Sequence, residues 1–232
     1  MGRTAEGIMS DARSQILGSV RRALRRDALP ADKAAALEAR LRDPKPNLIP
    51  ARARGDAKAV VELFVEMAGN AAATLTRVKS AKDVPGAVAD FLASQNLPAS
   101  FVMAPDPELD TIPWSERPTL SIRRGKTDGG DQVSVTGAFA AIAETGTLML
   151  TSGPDHPSTL NFLPETHVVV LPAGKVVGPY EEAWARLRAG RDGTLPRTVN
   201  FVTGPSRSGD SEQRLLMGAH GPRRLHVVLI ED

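Results

Sequence analysis

The sequence predicts an α/β protein with a mainly parallel, doubly wound sheet, preceded by a helical appendage. Three observations predict this. Between residues 56 and 104, helix-period and strand-like stretches alternate, the order that lays helices on the faces of a parallel sheet. Farther along, β-branched apolar runs recur at Val133–Thr136, Val168–Leu171 and Leu225–Ile230, as in strands buried on both faces. Charge is also uneven: residues 1–60 hold 13 Lys and Arg against 7 Asp and Glu, in a chain of net charge +2.

The appendage opens with Ala12, Ile16, Leu17, Val20, Ala23 and Leu24 on one helical face, with Arg13, Arg21, Arg22, Arg25 and Arg26 around it. Ser10 or Asp11 would cap this helix, which makes Met9 an alternative start to Met1 and leaves residues 1–8 expected to be disordered. No aromatic interleaves the arginines, so base stacking has little to work with and nucleic-acid binding is not expected. The apolar face is expected to pack on this chain or on a partner. A second helix follows at Ala31–Arg42, and Asp43-Pro44-Lys45-Pro46-Asn47-Leu48-Ile49-Pro50 then forbids helix and reads as an extended linker. The division is therefore an appendage and linker over residues 1–50 and an α/β domain over 55–232.

Within that domain Val60, Val61, Leu63, Phe64 and Met67 give a helix over residues 56–71. A strand at 74–78, a helix at 84–93 and a strand at 101–104 come next. Five short strand candidates follow with little helix between them, at 119–122, 133–136, 140–143, 148–151 and 168–171. Helical spacing returns at 180–187, and strands at 198–203 and 225–230 close the pattern. Trp114 and Trp184 read as packing residues.

Composition excludes several chemistries. The chain has 232 residues, enough for a sizeable core, and no cysteine. Disulfides, thiolate catalysis and cysteine-bound iron–sulfur clusters are thereby excluded from it. No apolar stretch reaches the roughly 18 residues of a membrane span, and a cytoplasmic location is expected. The four histidines, His156, His167, His220 and His226, show no helix-borne metal spacing, so no metal site is expected.

Three turns carry the candidate chemistry. In Ala143-Glu144-Thr145-Gly146-Thr147, Glu144 is a carboxylate between apolar strands, a candidate acid, base or nucleophile, or else a residue that pairs with an arginine or accepts backbone N–H bonds. In Gly204-Pro205-Ser206-Arg207-Ser208-Gly209-Asp210 the glycine and proline break a strand. Ser206, Ser208 and Asp210 are N-cap types ahead of Glu212-Gln213-Arg214-Leu215-Leu216, so a helix start that holds an anion is expected, with Arg207 adding a forked charge. The alternative is a capped turn whose arginine faces water. In Gly218-Ala219-His220-Gly221-Pro222, His220 is the histidine placed to reach a pocket as acid or base, whereas His167 and His226 read as core or edge packing. Thr145, Gly146, Thr147, Gly204, Pro205, Ser206, Arg207, Ser208, Asp210 and Gly221 are the candidate ligand-binding residues. Residues 151–157, with two prolines and a glycine, read as a rigid loop, with ligand contact as the alternative.

These three ordered motifs, followed by Leu225-His226-Val227-Val228-Leu229, resemble the lactate-utilization (LUD) domain family, and within it the C type that lacks iron–sulfur cysteines. The resemblance runs from about Val135 onward. Where the family pattern reads Thr-Ala-Asp-Ile-Glu, this chain has Ser208-Gly209-Asp210-Ser211-Glu212, which keeps the hydroxyl and both carboxylates but loses an apolar packing position. The resemblance implies a fold similar to the sugar-phosphate isomerase and CoA-transferase superfamily. It also implies a part in oxidising L-lactate to pyruvate beside two iron–sulfur partner proteins, with no cofactor in this chain. It implies no catalytic residue.

Three functions stay open on the sequence. The chain is an accessory, non-redox subunit of lactate oxidation that binds a small anion. Alternatively it is an independent enzyme on a phosphorylated sugar or CoA ester, using Glu144. Or it is a scaffold or regulatory module that grips a partner through its basic first helix.

Overall fold

Helical periodicity and capping set the elements that flank the sheet. A computed structural model describes residues 5–25, 29–190, 194–209, 215–218 and 220–232. The chain divides into two compact units, Met1–Lys45 and Pro46–Asp232. The first holds helices α1 (Ala5–Ala23) and α2 (Ala31–Arg42). Helix α1 is already under way at Ala5, ahead of the expected Ser10 or Asp11 cap, so residues 5–8 are helical rather than disordered. Residues 1–4 lie outside the described residues.

In the second unit, Asp56 caps α3 (Ala57–Asn70) by accepting the Ala59 N–H at 2.8 Å. The chain then runs through β1 (Thr74–Val78), α4 (Val84–Ser94), β2 (Ser100–Met103), a single turn α5 (Pro107–Asp110) and β3 (Ser121–Arg124). Next come β4 (Val133–Gly137), the hairpin β5 (Ala140–Ile142) and β6 (Thr147–Thr151), α6 (Thr159–Phe162), and β7 (Thr166–Pro172). The remainder is β8 (Val176–Val177), α7 (Tyr180–Ala189), β9 (Val199–Thr203), β10 (Arg207–Gly209), β11 (Leu215–Met217) and β12 (Arg224–Ile230). Among the described residues no helix is long and apolar enough to cross a membrane.

Six strands form an all-parallel sheet in the order β1-β12-β7-β4-β2-β3. The short middle strands make a second, four-stranded sheet, β8-β5-β6-β9, in which β6 is antiparallel to both β5 and β9. This is the α/β, mainly parallel architecture that the alternating pattern predicts.

The period-2 alternation of strand side chains decides what each face meets. Val168 and Val170 of β7 pack with Val84, Val88, Phe91 and Leu92 on the α4 side. Val169 and Leu171 pack on the opposite face with Phe64 and Ala68 of α3 and with Leu148 and Leu150 of β6. A third cluster joins Ile142, Met149 and Val177 of the small sheet to Ala183 and Leu187 of α7. Both faces of the large sheet are thus covered, so its central strands are apolar without alternation. Trp114 is a packing residue as expected: it meets Phe101 edge-on at 5.6 Å and its Nε1–H donates to Leu109 O at 2.9 Å.

Two histidines sit in this core. His167 at the head of β7 is fully buried and shares a 2.7 Å hydrogen bond between Nε2 and Thr136 Oγ1. His226 of β12 lies flat on Phe91, ring centres 3.8 Å apart, with Nδ1 bonded to Thr74 Oγ1 at 2.8 Å. Burial lowers their pKa from 6.5 to about 3 for His167 and about 4 for His226. The unfolded chain therefore binds more protons than the native one below pH 6.5. Stability is expected to be full above that pH and to fall toward pH 4, by up to about 1.4 kcal/mol per pH unit for each histidine. Urea unfolding across this range measures the slope, and His226→Phe, which keeps the ring stack, should flatten it by one histidine's share.

Candidate functional site

The carboxyl end of α3 positions two of the three turns. Gly146 (φ 67°) and Gly204 (φ 70°) are both left-handed, a conformation glycine adopts without steric cost. A Cβ on Gly146 would stand 2.2 Å from Ala68 N, and one on Gly204 2.0 Å from Ala71 O. Each turn therefore rests its bare backbone on the helix end. Arg207 adds a third contact, donating from Nη2 to Ala71 O at 2.5 Å. That places a cation at the negative end of the helix dipole. Part of the guanidinium fork thus serves the helix end.

The hydroxyls of the first turn satisfy one another. Thr147 lies opposite Thr203 in the β6–β9 pairing, and their Oγ1 atoms are 2.6 Å apart. Thr145 Oγ1 is 2.6 Å from Thr147 Oγ1, and Tyr180 Oη bonds both, at 2.8 and 3.0 Å. Glu144 is half-buried, and its backbone N–H donates to Gly178 O at 3.1 Å. Glu144, Thr145, Gly146 and Thr147 are not in the wall of the cavity described next. Thr203 joins the hydroxyl cluster to it.

The second and third turns do come together. Ser206 N–H donates to Pro222 O at 2.8 Å, Gly218 N–H to Ser206 O at 3.0 Å, and His220 N–H to Ser206 Oγ at 3.2 Å. Beneath them lies a cavity of about 250 Å³. Gly204, Pro205, Ser206, Arg207, His220 and Gly221 roof it, while Asn161, His167 and Leu225 form buried wall and Phe162 and Phe201 an exposed rim.

The expected helix start after Gly204-Pro205 is not what this segment forms. Arg207–Gly209 is a strand, paired antiparallel with Leu215–Met217. Ser206 is instead held by the main chain of Gly218 and Pro222, and Ser208 pairs with Leu216 across the hairpin. Residues 210–214, Asp210 among them, and the Ser208 side chain lie outside the described residues.

The cavity nonetheless has a sign. Among the described residues that line it, Arg207 is the one permanent charge and no carboxylate is present. The Arg207 N–H groups not spent on Ala71 O are the charged donors this wall can offer an occupant. His167 contributes a neutral ring whose Nδ1 has no partner among the described residues; depending on tautomer it donates or accepts one hydrogen bond. Among the described residues no group of three or more His, Asp or Glu is placed to hold a metal ion. Sequence reasoning missed Asn161, Thr203, Tyr180 and the cavity-facing part of His167. The signal available for His167 was the polar pair Thr166-His167 at the head of an apolar strand.

An α/β scaffold with a cavity of about 250 Å³ under paired glycine turns is thus the class that fold and site define. Residues 128–230 match the LUD domain. The matched stretch runs from just before β4 to the end of β12. Proteins named lactate utilization protein C are similar to it. The protein from Geobacillus thermodenitrificans is 34% identical over 116 residues, 48% of either chain. That from an Exiguobacterium species is 36% identical over 102 residues, 43% of this chain and 44% of its own. The matched segment thus spans about half the length of these curated relatives. A crystal structure of a DUF162 family protein from Deinococcus radiodurans superimposes with a TM-score of 0.58 at 26% identity, covering 77% of this chain and 100% of that one.

Replacing Gly146 or Gly204 by alanine is expected to destabilise the fold by about 3 kcal/mol or more, since a strained φ and a main-chain collision add. Gly174→Ala is the control. No atom lies within 4 Å of its added Cβ, and its effect should stay within about 0.5 kcal/mol. Chemical denaturation of the three variants checks this.

Proposed function

We propose that this chain acts in lactate utilization as a non-redox subunit. It holds a small anion, L-lactate or the pyruvate made from it, in the turn cavity, while iron–sulfur clusters on partner proteins take the electrons. One observation carries the reading: the matched LUD segment contains both turns that roof the cavity, in proteins whose relatives bear the lactate-utilization name. The absence of cysteine supports the division of labour, because cysteine-ligated clusters must then reside on other chains. Oxidation of a 2-hydroxy acid to a 2-oxo acid releases two electrons and two protons, and the electrons need such an acceptor.

The roles follow from the wall chemistry. Arg207 spends one donor on Ala71 O, and its remaining N–H groups pair with the carboxylate of the ligand. Ser206 and His167 offer hydrogen bonds to the hydroxyl or keto oxygen. His220, exposed at the roof, is the group placed to exchange a proton with solvent.

The test is capture of the tagged full chain from its own cells grown on L-lactate. Recovery of iron-containing proteins together with L-lactate-dependent dye reduction is expected. Arg207→Ala should weaken lactate affinity about 10- to 100-fold, the value of a hydrogen bond to a charged group, while partner capture persists. Recovery of the chain alone and iron-free, with normal growth on L-lactate after its deletion, overturns the reading.

A further inference from the structure

A second cavity lies at the carboxyl ends of β2 and β4, with a volume of about 130 Å³. From β2 the chain leads outward to the sheet edge at β3, whereas from β4 it leads through the small sheet to β7 on the other side. The two loops diverge and leave a crevice, as they do wherever strand order reverses in an open parallel sheet. Asp106, Thr136, Thr151, His156, Asn161 and Lys175 line it.

The charges in this crevice are not balanced. The Asp106 side chain is 6% exposed. Its Oδ1 accepts the Glu108 N–H at 2.9 Å, and its Oδ2 lies 3.6 Å from His156 Nδ1, beyond hydrogen-bond reach. A Cβ on Gly137 would stand 2.7 Å from that same Oδ2, so the carboxylate lies against the bare end of β4. Lys175 does not neutralise it: the ammonium pairs with Glu108 and donates to Ala138 O at 3.1 Å. Apart from the His156 ring, which stands at ion-pair distance, the wall carries two carboxylates against one ammonium. A buried carboxylate hydrogen-bonded only to a backbone N–H still gains from a further donor, and an anionic ligand would meet repulsion there. One buried carboxylate ringed by hydroxyl and amide oxygens suits an organic cation with several N–H donors.

We propose that this crevice binds a small ligand through a primary ammonium group, with Asp106 as its counter-ion and the Thr136, Thr151 and Asn161 oxygens as hydrogen-bond acceptors. A cavity of about 130 Å³ admits a small amino alcohol such as ethanolamine. This site is separate from the anion cavity and does not depend on the lactate reading, although Asn161 lines both cavities.

Ethanolamine is the probe. Ring resonances of His156 in the full chain are followed by NMR, assigned through His156→Gln, during titration with ethanolamine and separately with sodium L-lactate at matched ionic strength. Saturable shifts with ethanolamine and none with lactate are expected, His220 staying silent to the amine. Asp106→Asn, whose amide oxygen retains the cap of α5, should weaken the amine at least about tenfold. Lys175→Met should tighten it, since it removes the competing cation. Saturable shifts of His156 with lactate, none with ethanolamine, or equal amine affinity in wild type and Asp106→Asn each overturn the proposal. A silent His220 in the lactate titration would count against the anion reading alone.

Discussion

The last turn of α3 is the constraint around which the rest of the second unit is arranged. Two left-handed glycines, Gly146 and Gly204, bring main chain against it, and Arg207 occupies its terminal carbonyl. Through those contacts the helix sets where the β5–β6 hairpin ends and where β9 turns away. The Thr147–Thr203 hydroxyl pair then locks the two turns to each other. A helix normally ends with several orphan carbonyls. Here their satisfaction is the anchoring point of the small sheet.

Packing and chemistry therefore share residues. Glycine, hydroxyl and arginine signatures that read as ligand-binding are, in the first turn, largely internal: Thr145 and Thr147 bond to Tyr180 and Thr203, and Gly146 is required by Ala68. In the second turn the same residue types do border a cavity, but with the help of His167 and Asn161, which the core positions from beneath. The polar groups at strand ends thus did not tell which of them bond one another and which border the cavity.

How much was legible depended on whether the determining interaction was local. Helices α3 and α4 follow from the periodicity of Val60, Phe64 and Met67 and of Val84, Val88 and Phe91, and β7 follows from an unbroken apolar run that only a sheet covered on both faces accommodates. The segment after Gly204-Pro205 is different. Ser206, Ser208 and Glu212 resemble a helix N-terminus, yet Ser206 is held by Pro222 and Gly218 from across the hairpin, bonds that no window of the sequence reveals. The crevice at Asp106 was illegible for the same reason. Asp106, His156 and Lys175 lie on three separate connections, and only the reversal of strand order brings them together.

Strand order also bears on how the chain is made. Among the described residues strand β1 pairs with β12 alone, and the Thr74–His226 bond between them closes a separation of 152 residues. During synthesis β1 and the inner face of α3 emerge well before their partner strand, which follows β1 by some 150 residues. Nearly the whole second unit must be translated before that edge is sealed. In the interval β1 offers open backbone and apolar side chains, the exposed-edge condition in which slow, long-range sheets aggregate. The vulnerable stretch of the nascent chain is thus β1, made long before the strand that covers it.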